Sequence, residues 1–218
     1  MKGKQRVLVT AGAGGIGECL ARTFSREGSR VHICDTNAQA LEQMLTANRG
    51  TITGTIADVS DPEAVDRLFD DVRSELGGLD VLINNAGIEG PIGPVEDISP
   101  EAWRKTIAVN LDGQFLCARK AVPLLKSAGG GCIINMSSTA GLGGCPNRSP
   151  YVASKWAIIG LTKTPAMELG LFDIRVNAIC PGFIQTNIFA ATVGANKEEA
   201  QAINTVLGQA AASVQPVA

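Results

Sequence analysis

The 218-residue chain predicts a three-layer αβα architecture built on a doubly wound parallel sheet. Three observations carry that expectation. Short β-branched apolar runs alternate with segments whose apolar residues recur at close to 3.6 positions. The runs are continuous and not strictly alternating, as in strands buried on both faces. A glycine-rich turn lies between the first run and the first helical pattern. At 45% hydrophobic and 18% charged residues there is material for one core, so residues 1–218 are expected to form a single domain.

Six strands are expected, at 6–10 (RVLVT), 30–34 (RVHIC), 51–56 (TITGTI), 79–84 (LDVLIN), 131–136 (GCIINM) and 174–179 (IRVNAI). Helices are expected over ECLARTFSREG, PEAVDRLFDDVRSEL, the long 99–128 segment and 150–169. Asp61-Pro62, Ser99-Pro100 and Ser149-Pro150 each place a capping side chain before a proline at the first helical position, where its missing N–H costs nothing. Pro165 conflicts with the last helix and predicts a bend after Leu161, since an internal proline costs about 3 kcal/mol. From about residue 190 the character changes, and 190–218 is expected to be a partly ordered tail or lid.

The formal net charge of −2, with no run of Lys or Arg, offers no electrostatic footprint for nucleic acid or an anionic membrane. A small-molecule partner is expected instead. The N-terminal MKGKQRVLVT leaves no room for a signal peptide, and no apolar run reaches the roughly 18 residues that span a bilayer, so a cytoplasmic location is expected. The six cysteines are widely spaced and contain no C-x-x-C pair, which reads as buried free thiols. A lone histidine, His32, supplies too few ligands for zinc, and no metal site is expected.

Thr10 to Gly17, TAGAGGIG, follows the first strand directly. Glycines permit positive φ and close backbone approach, and the N–H groups at a helix start suit a pyrophosphate. Asp35 closes the second strand 18 residues past Gly17, where a carboxylate can accept from adenosine ribose hydroxyls; it can equally cap the helix beginning near Thr36. A 2′-phosphate would be repelled there, and no Arg or Lys lies in the turn or directly after Asp35, so NAD is the expected cofactor. Tyr151, the chain's one tyrosine, precedes Lys155 by four residues, which puts both on one helical face. Ser138 lies thirteen residues before Tyr151, at the C-terminal end of the fifth strand, where parallel sheets bind ligands.

Over residues 5–190 the pattern resembles the short-chain dehydrogenase/reductase family, which implies a Rossmann-type fold. Thr10–Gly17 is similar to its T-G-x-x-x-G-x-G turn, Asn84-Asn85-Ala86-Gly87 to its N-N-A-G, and Asn110 to the asparagine of its central helix. Ser138 with Tyr151 and Lys155 matches its Ser and Y-x-x-x-K; Pro181-Gly182 with Thr186 matches P-G-x-x-x-T. The resemblance implies hydride transfer between nicotinamide C4 and a secondary alcohol or carbonyl carbon, with Tyr151 as general acid/base, Ser138 orienting the substrate oxygen, Lys155 also holding the nicotinamide ribose, and Asn110 linking the lysine to solvent through a water. It implies cofactor contact at Gly12, Gly15, Ile16, Gly17, Asp35, Asp58, Val59, Asn85, Ala86, Gly87, Tyr151, Lys155, Pro181, Gly182, Ile184 and Thr186. Outside that context, Asn84-Asn85 reads equally as a strand-ending turn. Gly90–Ile92, Gly143–Arg148 and Phe183–Phe189 are the expected pocket segments.

Two departures stand out. Ala11 occupies the place of the first motif glycine, which predicts a tighter pocket and weaker cofactor binding. The further strand of the family, ending in a D-G turn, is not seen after residue 190, so a sheet without its usual last strand is expected. A homo-oligomer is expected through helices 100–127 and 150–169. The alternative to an active NAD-dependent oxidoreductase is a cofactor-binding relative with weak or no turnover.

Overall fold

Apolar side chains on both faces produce the central strand β1 (Arg6–Thr10), from which the sheet of this computed structural model grows outward. The structure describes residues 4–182. The other strands are β2 (Arg30–Asp35), β3 (Ile52–Ile56), β4 (Val81–Asn84), β5 (Gly131–Met136) and β6 (Ile174–Ile179). All pair in parallel in the order β3-β2-β1-β4-β5-β6. The direction in which successive strands are added reverses between β1 and β4, which opens a crevice at their C-terminal ends.

Helices cover both faces. Helix α1 (Gly15–Arg26) and α2 (Ala38–Ala47) bury Ala21, Leu41 and Met44 against Val7, Val9, Val31 and Ile33. On the opposite face, α3 (Pro62–Leu76), α5 (Gly113–Ser127) and α6 (Ser149–Leu169) pack Leu68, Phe69, Cys117, Leu125 and Leu169 on Leu8, Leu82 and Ile133. The short α4 (Pro100–Ile107) lies between β4 and α5 in sequence. Strand β6 alternates buried and exposed residues, in contrast to the wholly buried β4.

All six expected strands are present, with ends shifted by two residues at most. Asp61 and Ser99 cap α3 and α4 as expected, accepting from the Glu63 and Ala102 amides. Three local expectations are corrected. The 99–128 segment is not one helix: a π-helical turn at Ala108–Asp112 separates α4 from α5, and Gly113 N–H reaches back to Ala108 O. Ser149 is the first residue of α6 and not its cap; Arg148 holds that place because its carbonyl already accepts from Val152 N at 2.9 Å. Asp35 does not cap α2, because the chain needs two more residues to turn, and Asn37 accepts from Ala40 N instead. Pro165 lies inside α6, which stays helical to Leu169 although no Pro165 amide reaches the Leu161 carbonyl. Helix packing on the sheet outweighs the lost bond. The expected missing last strand and the 190–218 lid fall outside the described residues.

Candidate active site

Each candidate side chain is delivered to the sheet's C-terminal edge by the end of a strand or the start of a helix. β1 ends in the turn in which contact requires glycine at positions 12 and 17. A Cβ on Gly17 would lie 2.0 Å from Ala11 O, one on Gly12 would lie 2.6 Å from Ile33 Cβ, and Gly14 faces open space. Thr10 Oγ1 accepts from both Asn85 N and Ala86 N at 2.9 Å, and Asn85 Nδ2 donates to Thr10 O and Ala11 O. These bonds lock the turn to the segment after β4. Ala11 adopts φ 50°, the left-handed conformation that favours glycine. Its methyl packs against the core, so the substitution acts through backbone strain and not by intruding on a pocket.

The Asp35 carboxylate accepts from Ala13 N at 3.1 Å and Asn37 N at 3.0 Å, which ties β2 to the glycine turn and leaves lone pairs on both oxygens. Asp58 is exposed, bonded to Ser60 N and Oγ, while the Val59 side chain is buried in the core beside Gly113. Only the backbone at Val59 is thereby left to meet a ligand. An adenosine ribose beside Asp35 and a pyrophosphate over Gly14 fit these groups: free acceptors stand at the strand end and unfilled space over the turn.

Ser138, Tyr151 and Lys155 come together. Ser138 follows β5, and its hydroxyl accepts from Ala140 N and shares a hydrogen bond with the Tyr151 phenol. Tyr151 lies in the first turn of α6 and Lys155 one turn on, its Nζ 5.5 Å from the Tyr151 ring centroid. Lys155 is 4% exposed and donates to Met136 O at 2.9 Å. Gly141 lets the turn after Ser138 press on α6: a Cβ there would meet Ser137 Oγ at 2.4 Å and Lys155 O at 2.7 Å. Burial pushes the Lys155 ammonium down to about 8, with Cys180 opposing, and pushes the Tyr151 phenol up, opposed first by the Ser138 bond and then by the Arg148 charge. Thr139 N donates to Pro181 O at 2.9 Å, so the Pro181-Gly182 segment reaches the same crevice.

Asn110 sits in the π turn, a distortion common at functional sites. Its Oδ1 accepts from Ile88 N at 2.7 Å, and its Nδ2 donates to Ile88 O and Ser154 Oγ. The side chain is therefore committed to the loop after β4. Asn110 Oδ1 and Lys155 Nζ flank Gly87, where a Cβ would lie 3.3 and 3.5 Å from them. The loop's other neighbour is the 143–148 segment, joined by Gly93 N to Asn147 O at 3.0 Å, so two of the three expected pocket segments meet. Ile184, Thr186 and Phe183–Phe189 lie outside the described residues.

The roles of four residues had no signal in the sequence. Thr10 looked like a motif letter, and its role as the acceptor for two amides depends on β1 and β4 being adjacent. Glu89 and Arg148, 59 positions apart, form an ion pair at 3.8 Å beside Tyr151. Ser154 links Asn110 to Tyr151 O.

A family model described as short chain dehydrogenase matches residues 5–197. The chain belongs to this family, the short-chain dehydrogenases/reductases. It is 41% identical over 192 residues to trans-4-hydroxycyclohexanecarboxylate dehydrogenase of Sinomonas cyclohexanicum, covering 84% of this chain and 73% of that protein. Over 191 residues it is 38% identical to meso-2,3-butanediol dehydrogenase of Serratia marcescens, covering 86% and 75%. Among solved structures, the F189W actinorhodin polyketide ketoreductase with NADPH superposes with a TM-score of 0.84 at 32% identity, covering 88% of this chain and 76% of that one. The 3-ketoacyl-(acyl-carrier-protein) reductase of Brucella melitensis, complexed with NADH, gives 0.82 at 31%, covering 86% and 79%. The family is one of oxidoreductases with a nucleotide cofactor, and that class applies to this chain. Among the described residues no helix is long and apolar enough to cross a membrane.

Proposed function

We propose that the chain transfers a hydride between NAD(H) and the carbon of a secondary alcohol or carbonyl compound, with Tyr151 as general acid/base. The convergence of Ser138, Tyr151 and Lys155 at the sheet's C-terminal edge carries this reading. Nicotinamide C4 supplies or accepts the hydride when the cofactor is bound. Ser138 orients the substrate oxygen, and Tyr151 gives it a proton or takes one from it. A phenol of pKa near 10 needs about 4 kcal/mol of favourable electrostatics to ionise readily at neutral pH, and the Lys155 ammonium is placed to contribute. Asn110 fixes the loop that carries Gly87 beside Lys155.

Gly12, Gly15, Ile16 and Gly17 would hold the pyrophosphate, Asp35 the adenosine ribose, Asp58 and the Val59 backbone the adenine. Asn85 to Gly87 would line the ribose floor, and Pro181, Gly182, Ile184 and Thr186 the nicotinamide. The Asp35 carboxylate disfavours a 2′-phosphate, which supports NAD over NADP; fluorescence titration giving NADPH tenfold tighter than NADH would overturn that choice. Tyr151→Phe is expected to keep NADH binding and lose turnover by about 10²- to 10⁴-fold. Retained activity against a panel of alcohols and ketones would exclude the tyrosine mechanism. A second reading, a binder with little turnover, is favoured by the strained Ala11, and the same panel separates the two.

The proposal extends to a homo-oligomer in the cytoplasm. Exposed Trp103, Phe115, Trp156 and Met167 on α4, α5 and α6 support self-association, and six unpaired thiols suit a reducing compartment. A monomer in light scattering at micromolar concentration would refute the first part.

A further inference from the structure

Arg148 is a costly residue for its position. It occupies the cap of α6, is 8% exposed, and among the described residues its Nε finds no hydrogen-bond partner. Among the described residues its one ion pair is the 3.8 Å approach of Nη1 to Glu89 Oε2, with side chains 9% and 15% exposed. A buried guanidinium with an unmade bond destabilises the fold, so capping and packing alone do not account for it. Its guanidinium carbon lies 5.0 Å from the Tyr151 ring centroid, closer than the Lys155 ammonium at 5.5 Å. Both cations therefore lie by the Tyr151 ring, one from before it and one from after it along the chain.

We propose that Arg148 is a positioning residue for proton transfer, stabilising the Tyr151 phenolate as a second cation, and that Glu89, its ion-pair partner, limits that stabilisation. The inference rests on the reading of Tyr151 as general acid/base. The groups around Tyr151 are Ser138 after β5, Arg148 at the cap of α6, Lys155 on α6, Cys145 in the loop before α6, and Glu89 in the loop after β4; Cys180, after β6, acts on Lys155. Of these, the Ser138 hydrogen bond first and the Arg148 charge second favour the ionised phenol, while Glu89 and Cys145 oppose it. Burial raises the Glu89 carboxyl and the Arg148 charge lowers it. Because the pair is mostly withdrawn from water, its field at the phenol is weakly screened. Proton transfer at Tyr151 is then tuned by a charge pair absent from the motif that names the family.

The chain's single tyrosine permits a direct test, because ultraviolet difference titration of the full, cofactor-free protein reads the Tyr151 phenolate alone and its two tryptophans do not ionise. Y151F must abolish the signal. R148Q is expected to raise the phenol midpoint by about one pH unit, R148K to keep it within about 0.3 units of the parent, and E89Q to lower it by about half a unit. The ionisation limb of the kcat profile with NADH should move in the same directions. An unmoved midpoint in R148Q, together with loss of turnover in Y151F, overturns the inference and leaves the tyrosine mechanism standing. Turnover retained by Y151F overturns the mechanism whatever the titration shows. If R148Q does not fold, E89Q decides: a midpoint that stays or rises refutes the role assigned to the pair.

Discussion

Replacing Lys155 by methionine should stabilise the cofactor-free protein while abolishing turnover. The ammonium is 4% exposed, and burial lowers its folded pKa from 10.5 to about 8. The folded state therefore holds its proton less tightly than the unfolded chain. Stability is retained above the unfolded value and is lost as pH falls from 10.5 to about 8, below which the loss is constant. A shift of about 2.5 units corresponds to roughly 3 kcal/mol of cost near neutral pH and about 1.4 kcal/mol near pH 9.5. Methionine removes that cost and forfeits the bond to Met136 O, worth about 1 kcal/mol. That carbonyl is not orphaned, because Gln114 Nε2 also donates to it at 3.2 Å. The net expectation is a gain of about 2 kcal/mol near pH 7, read as a higher urea midpoint with unchanged slope. Repeating the melts at rising pH should narrow the gap between variant and parent. A variant no more stable than the parent at neutral pH, or a gap that stays constant with pH, would refute the account of a lysine held at a stability cost for function.

Three further outcomes follow from the same geometry. His32, the one histidine, is 1% exposed between Thr53 and Thr55, and burial lowers it to about 4 against a Coulombic pull from Asp71. Stability should hold above the unfolded pKa of 6.5 and fall as pH drops from there to about 4, by roughly 2 kcal/mol near pH 5; an imidazole NMR titration midpoint near 6.5 in the folded protein would contradict this. Ala11→Gly relieves a left-handed alanine and should raise stability by about 0.5–1 kcal/mol, checked by thermal melts. Gly17→Ala forces a Cβ to 2.0 Å from Ala11 O and should cost about 1–3 kcal/mol and weaken NADH binding at least about tenfold in a fluorescence titration.

The sequence by itself determined the sheet and pointed to the candidate residues at its C-terminal edge. Short apolar runs such as VLIN and GCIINM, set between turn residues, read as strands buried on both faces, and 3.6-residue spacing between them leaves helices as the cover. Tyr151 and Lys155 were legible because four residues on a helix is a local spacing, and Gly17 because contact with a neighbouring turn tolerates no side chain. Asp35 was placed correctly at a strand end, but its competing role as a helix cap passed to Asn37, a matter of two residues of turn geometry. What only the tertiary structure decided depends on elements distant along the chain. The π turn at Ala108–Asp112 lies where Asn110 bonds the backbone after β4, and Pro165 remains helical in a helix packed on the sheet. Thr10 bridges β1 to the Asn85 amide, and Glu89 meets Arg148 over Tyr151. Periodicity reports which residues share a face of one element; it carries no information about which face of another element they will meet, and buried charge pairs are set by that meeting.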